Sequence, residues 1–216
     1  MLLLLWLVSG RLWARMRASL DLIRKRDGRP PIIFLRSFQD DGNDGSPLLE
    51  KDLNAALRAY GLFVAIGRPG ELRPAAAARQ YFRADRWQEA VAALMDESGA
   101  IIVVPGLTPS LDWEIAQVVG RGHLHKTIFV LPPRGNLLAR FQRLYAQLAE
   151  TPEIREFPSL QGVKLSTVFH DHKQGWVLIT SEEDSLGAQE AAIDVALYGM
   201  WVASRLPPQA KPFKNA

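Results

Sequence analysis

Four short runs of unbroken apolar residues punctuate the first two-thirds of the chain: Ile32–Leu35, Leu62–Ile66, Ala100–Val104 and Ile128–Leu131. Runs of four or five apolar residues, bounded by prolines, glycines or polar turns, suit strands buried on both faces of a parallel sheet. Between them the period changes to that of a helix. From Leu48 to Tyr60, Leu49, Leu53, Ala56, Leu57 and Tyr60 recur at helical spacing, and Gly61 closes the segment. Asp85 is placed to cap a helix running through Met95, with Gln88 completing a capping box. Thr108 can cap a helix that has Pro109 at its first position, where a missing N–H costs nothing, and that Gly120 stops. A fourth helix spans Asn136 to Glu150, with Leu137, Phe141, Leu144, Tyr145 and Leu148 on one face. The alternation predicts a doubly wound α/β sheet.

After residue 150 the pattern differs. Two strand-like runs, Val163–Phe169 and Trp176–Thr180, flank the sequence HDHKQG, which reads as a hairpin or bulged edge with one strand able to join the main sheet. Ser185 to Leu206 forms a long last helix, ended by Pro207-Pro208. The expected organisation is an arm over residues 1–29, an α/β domain over 30–206 and a disordered tail over 207–216.

The net charge of +3 conceals an uneven distribution. Residues 1–29 carry Arg11, Arg15, Arg17, Arg24, Lys25, Arg26 and Arg29 against Asp21 and Asp27, a net of +5, which leaves the other 187 residues at −2. The domain itself offers no broad basic face for nucleic acid. The arm opens with MLLLLWLV, an apolar run of eight residues. As a helix this is only ~12 Å long against a ~30 Å hydrocarbon core. Three readings remain: the cytoplasmic end of a membrane helix that begins before this chain, a short interfacial anchor with a basic flank, or a terminal helix docked on its own domain. The first two make lipid the partner of residues 1–29 and put the domain on the cytoplasmic side. The chain has no cysteine, so thiol nucleophiles and zinc–thiolate sites are excluded.

In open α/β sheets, ligands bind beyond the carboxyl ends of the strands. The residues following those ends include Arg36, Ser37, Asp40 and Asp41 after the first run, Arg68 and Glu71 after the second, and Ser110, Trp113 and Glu114 after the third. Arginines can grip phosphate, a tryptophan can stack on a base, and a carboxylate can stabilise an oxocarbenium-like centre. Together they suit a nucleotide-containing substrate. Each also has a plainer role: Arg36 paired with Asp40 or Asp41, Arg68 solvated, Trp113 in the core, Glu114 complementing a helix dipole. Adjacent helical residues point about 100° apart, so Trp113 and Glu114 cannot face the same ligand. No G-x-G-x-x-G, Walker or G-x-S-x-G motif occurs. The pairs His123/His125 and His170/His172 read as polar turns in preference to metal ligands.

The arrangement IIFLRSFQDD, a helix, a strand after Tyr60-Gly61, and then GAIIVVPGLTPSLDWEIAQVV resembles the Toll/interleukin-1 receptor (TIR) domain, in its divergent membrane-tethered bacterial form, over roughly residues 31–150. The resemblance implies a flavodoxin-like sheet. It places Ser37 and Asp40 in the loop after the first strand, and Ser110, Trp113 and Glu114 in the third-helix motif. It further implies that Glu114 is the carboxylate that, in enzymatic members, cleaves the nicotinamide–ribose bond of NAD. NAD is then a substrate, with no cofactor or metal required, and the domain self-associates into homo-oligomers. The alternative implied by the same resemblance is a non-catalytic signalling module assembling at a membrane.

Overall fold

The computed structural model describes residues 27–37, 50, 51, 53, 54, 57, 60–66, 78–80, 85–131, 137–148, 165–171, 175–183 and 185–205. Among them are seven strands: β1 (Ile32–Arg36), β2 (Phe63–Ile66), β3 (Ala78–Gln80), β4 (Ala100–Val104), β5 (Thr127–Leu131), β6 (Leu165–Asp171) and β7 (Gly175–Ser181). Four helices accompany them: α1 (Trp87–Glu97), α2 (Pro109–Gly120), α3 (Leu137–Leu148) and α4 (Leu186–Arg205). Residues 50, 51, 53, 54 and 57 are also helical.

The strands form one sheet in the order β3-β2-β1-β4-β5-β6-β7. β1 to β5 are mutually parallel, β6 is antiparallel to β5, and β7 is antiparallel to β6. The fold is therefore α/β and flavodoxin-like, with a C-terminal strand pair and a long final helix, as the alternating pattern requires. Both strands of that pair belong to the main sheet. The period of two along each strand separates two cores. Ile33, Leu35, Val64, Ile101, Val103, Phe129, Leu131 and Val168 meet α1, α2 and α3 on one face. Ile32, Phe34, Phe63, Ile102, Ile128, Val130 and Phe169 meet Leu53, Leu57 and the Ile193, Ala196 and Leu197 ridge of α4 on the other. Coverage on both faces explains why β1, β4 and β5 read as continuous apolar runs.

Several element ends differ from the sequence reading. α1 starts at Trp87 after Arg86, without a side-chain cap, and extends to Glu97, so Asp85 lies in the preceding turn. Gly120 is the last residue of α2; it is Gly122, at φ 72°, that takes the left-handed turn beyond it. The alanine-rich stretch to which the pattern gave no element contains the edge strand β3, three residues that tertiary pairing with β2 selects. Gly61 ends the turn after Leu57, and it also lies against β1: a Cβ there would come within 2.6 Å of the Pro30 carbonyl oxygen. The regions 1–26 and 206–216 lie outside the described residues.

The carboxyl end of α1 is closed by a residue distant in sequence. The Lys126 ammonium donates to the carbonyls of Met95 (2.8 Å), Asp96 (3.3 Å) and Ser98 (2.9 Å). Carbonyls at a helix carboxyl end are complemented by a cation; that of Met95 also accepts from the Ser98 backbone N–H and hydroxyl. Burial pulls the Lys126 pKa below its ordinary value. Lys126→Met, which keeps the stem and removes the donors, is expected to lower the unfolding free energy by about 1–3 kcal/mol in denaturant titration.

Candidate functional site

The chain runs from β1 to β2 on one side and then crosses to β4 on the other, so the topological switch lies between β1 and β4. At and beyond their carboxyl ends lie Arg36, the last residue of β1, then Ser37, and the segment Pro105–Thr108 that leads into α2. Pro105, Gly106 and Thr108 are buried there, and Leu107 is exposed. Thr108 is the N-cap residue of α2, but no side-chain cap bond is made; the Ser110 hydroxyl lies 3.4 Å from that of Thr108.

The buried residues of α2 are Leu111, Glu114, Ile115 and Val118. Their spacing of i, i+3, i+4, i+7 is that of a stripe facing a core. Glu114 thus holds a position where the packing calls for an apolar side chain, and only 8% of it is exposed. No hydrogen bond or ion pair among the described residues engages its carboxyl. Burial pushes its pKa up to about 8, so the protonated form prevails at neutral pH. A role in complementing the helix dipole does not fit, because that effect is confined to the first turn. The first-turn acid is Asp112, which bonds Arg143 and Gln147 of α3, and the Arg143 hydrogen bond holds its carboxyl below the usual range.

The remaining candidate residues divide between the two faces. Arg36 follows Ile32 and Phe34 in the alternation of β1 and therefore lies on the face opposite α2. Its guanidinium lies 6.0 Å from the Phe34 ring centroid and 3.4 Å from the carboxylate of Glu50, whose side chain is fully buried. Arg36 is thus an ion-pair partner of Glu50; Asp40 and Asp41 lie outside the described residues. Ser37 follows the last residue of β1 and is 3% exposed. Trp113 is half-buried and meets Trp87 of α1 edge-on, ring centroids 4.9 Å apart at 68°. Its neighbour Glu114 turns inward instead, the divergence expected of consecutive helical residues. Ser110 is exposed in the first turn of α2. Asp40, Asp41, Arg68 and Glu71 lie outside the described residues.

The structure therefore buries both Ser37 and Glu114, with Arg36 on the face opposite α2 and Trp113 against Trp87. Two buried charged residues escaped the sequence reading. Glu50 stands three and seven residues before Leu53 and Leu57, so its place on an apolar stripe was readable. Arg140, buried in the first turn of α3, stands three residues after Leu137 and four before Leu144, so its place on that stripe was readable too.

Among the described residues the histidines do not converge. His123, in a 3-10 turn over His123–Lys126, approaches Asp96 at 2.8 Å, and His170 meets Trp176 edge-on. Among the described residues no group of three or more histidines and carboxylates is placed to hold a metal. No described helix is long and apolar enough to cross a membrane. A depression of about 350 Å³ opens at the opposite edge, where Asp27–Pro31 approach Leu62 and Glu97 at the amino ends of the strands. Compared with known proteins, the chain matches no family model, no curated protein and no solved structure.

Proposed function

We propose that this chain is a membrane-associated, TIR-like domain that binds NAD or a related nucleotide at the carboxyl ends of β1 and β4 and hydrolyses its nicotinamide–ribose bond, with Glu114 as the catalytic carboxyl. The observation that supports this reading is the Glu114 carboxyl, buried in the apolar stripe of α2 with no bonding partner among the described residues. A titratable group whose pKa burial shifts this far, at the carboxyl edge of such a sheet, marks a candidate functional site. In a dry site, a ligand carrying a pyridinium cation lowers the pKa of the adjacent acid and turns it into carboxylate. That carboxylate can stabilise the oxocarbenium-like ribosyl centre as neutral nicotinamide departs and water attacks. Ser37 is a neighbour for a ribose hydroxyl, and the amino end of α2 offers N–H groups to phosphate. The apolar and basic arm, residues 1–29, supplies the lipid contact and holds the domain on the cytoplasmic side.

A second reading has its own observation. Arg36 and Trp113, two groups that would grip a nucleotide, are engaged by Glu50 and Trp87. A non-catalytic signalling module that self-associates at the membrane uses the same surfaces without turnover. The readings separate in one experiment: nicotinamide release from NAD by the full chain on anionic liposomes, beside Glu114→Gln and a form lacking residues 1–29. Catalysis predicts release that falls at least about 100-fold in Glu114→Gln, and flotation with liposomes that requires the arm. Retained release in Glu114→Gln overturns the assignment of Glu114. No release from wild type that floats and oligomerises establishes the scaffold reading instead.

A further inference from the structure

β7 is the last strand of the sheet, and among the described residues it pairs on one side only, with β6. Its sequence is GWVLITS, seven residues with neither charge nor proline. Edge strands in soluble proteins are ordinarily blunted by lysine, proline, a bulge or brevity. β3, at the other edge, is three residues long and contains Arg79. β7 has none of these devices. Its apolar residues are also incompletely covered on both faces. Trp176 and Leu178 flank the core beneath α1–α3, Val177 and Ile179 flank the core beneath α4, and all four are only half-buried. In β5, two strands further in, every residue is buried. Among the described residues, β7 has one strand neighbour where β5 has two.

We infer that β7 is a dimerisation edge, pairing antiparallel with β7 of a second copy of this chain about a two-fold axis through Leu178. The strand has an odd number of residues, so a symmetric antiparallel register places Leu178 opposite Leu178. Val177 then faces Ile179 of the second copy, and Trp176 faces Thr180. Apolar and aromatic–β-branched cross-strand pairs of this kind stabilise a sheet, and no like charges meet within the strand. Direction is set by the acidic exit. Glu182 and Glu183 follow β7 and are exposed. Parallel pairing would bring these carboxylates of the two copies within ~5 Å of each other. Antiparallel pairing separates Glu182 from its copy by eight residues of strand, roughly 27 Å, well beyond the ~8 Å screening length at physiological salt. Pairing β7 with β3 instead would engage only three residues and leave a β7 edge free for continued growth, whereas the two-fold pair closes. The result is one continuous sheet of fourteen strands, twice the seven of a single copy.

The chain has no cysteine, so a single introduced thiol reports on the axis without competition. Leu178→Cys is expected to form a disulfide-linked dimer under mild oxidation, since directly opposed residues lie within disulfide reach. Val195→Cys, on the exposed face of α4, is expected to remain a monomer on denaturing gels. Leu178→Lys and Leu178→Glu, shown to be folded by circular dichroism, should each sediment as monomers, and an equimolar mixture should regain the dimer mass. In wild type, the β7 amides should exchange with deuterium about tenfold more slowly at the concentration where the mass doubles than in dilute protein. A wild-type chain that stays monomeric at high concentration overturns the proposal. So does doubling of mass with unchanged β7 exchange, or cross-linking of Val195→Cys but not Leu178→Cys.

Discussion

The stability advantage of Glu114→Leu over the wild-type chain is expected to be about 4 kcal/mol larger at pH 8 than at pH 4. The reasoning starts from the pKa of about 8 that burial gives Glu114, against 4.5 for an unperturbed glutamate. The folded state holds a proton that the unfolded chain releases. Its contribution to stability is complete below pH 4.5, declines by about 1.4 kcal/mol per pH unit above it, and is lost as pH rises through 8. Leucine fits a stripe already formed by Leu111, Ile115 and Val118 and has nothing to ionise. Denaturant unfolding of both proteins at pH 4, 6 and 8 measures the effect. Parallel pH profiles would show that Glu114 is solvated in solution, and would remove the basis for giving it a role. If the variant is stabilised and also loses nicotinamide release, the carboxyl is retained for function at the expense of stability, a common trade at active sites.

The buried pair of Arg36 and Glu50 predicts the opposite behaviour. Glu50→Ala leaves a guanidinium whose side chain is 8% exposed without its carboxylate. The expected loss is about 3–5 kcal/mol, because the desolvation cost of the charge remains while the attraction is gone. Arg36→Met/Glu50→Leu removes both charges and should recover most of that loss. A double-mutant cycle built from these proteins and Arg36→Met should therefore be strongly non-additive. Additive losses would show that the pair is not coupled in solution. The double variant also probes the site. Arg36 lies across the sheet from α2, so nicotinamide release, if present, should survive the exchange of both charges while failing in Glu114→Gln.

Much of the architecture was written in local pattern. Continuous apolar runs at 32–35, 62–66, 100–104 and 128–131 require burial on both faces, and helical periods between them supply the cover. Those two constraints leave a doubly wound sheet as the economical solution. β3 was invisible because three residues carry no period; only pairing with β2 makes Ala78–Gln80 a strand. The start of α1 was misplaced because Asp85 and Gln88 matched a capping box, whereas helical geometry begins after Arg86 without that bond.

The candidate site was legible as a location, less so as a set of partners. The sequence by itself determined that Arg36, Ser37, Trp113 and Glu114 follow strand ends, and that Trp113 and Glu114 diverge. It also carried, in the spacings 111-114-115-118 and 50-53-57, the sign that two glutamates occupy apolar stripes. Only the tertiary structure decided their fates. Glu50 meets an arginine brought to it by β1, whereas Glu114 meets none among the described residues. The difference rests on which face of the sheet each helix covers. Helix period fixes the direction of a side chain relative to its own axis, but whether a buried carboxyl is neutralised depends on what long-range strand order places opposite it.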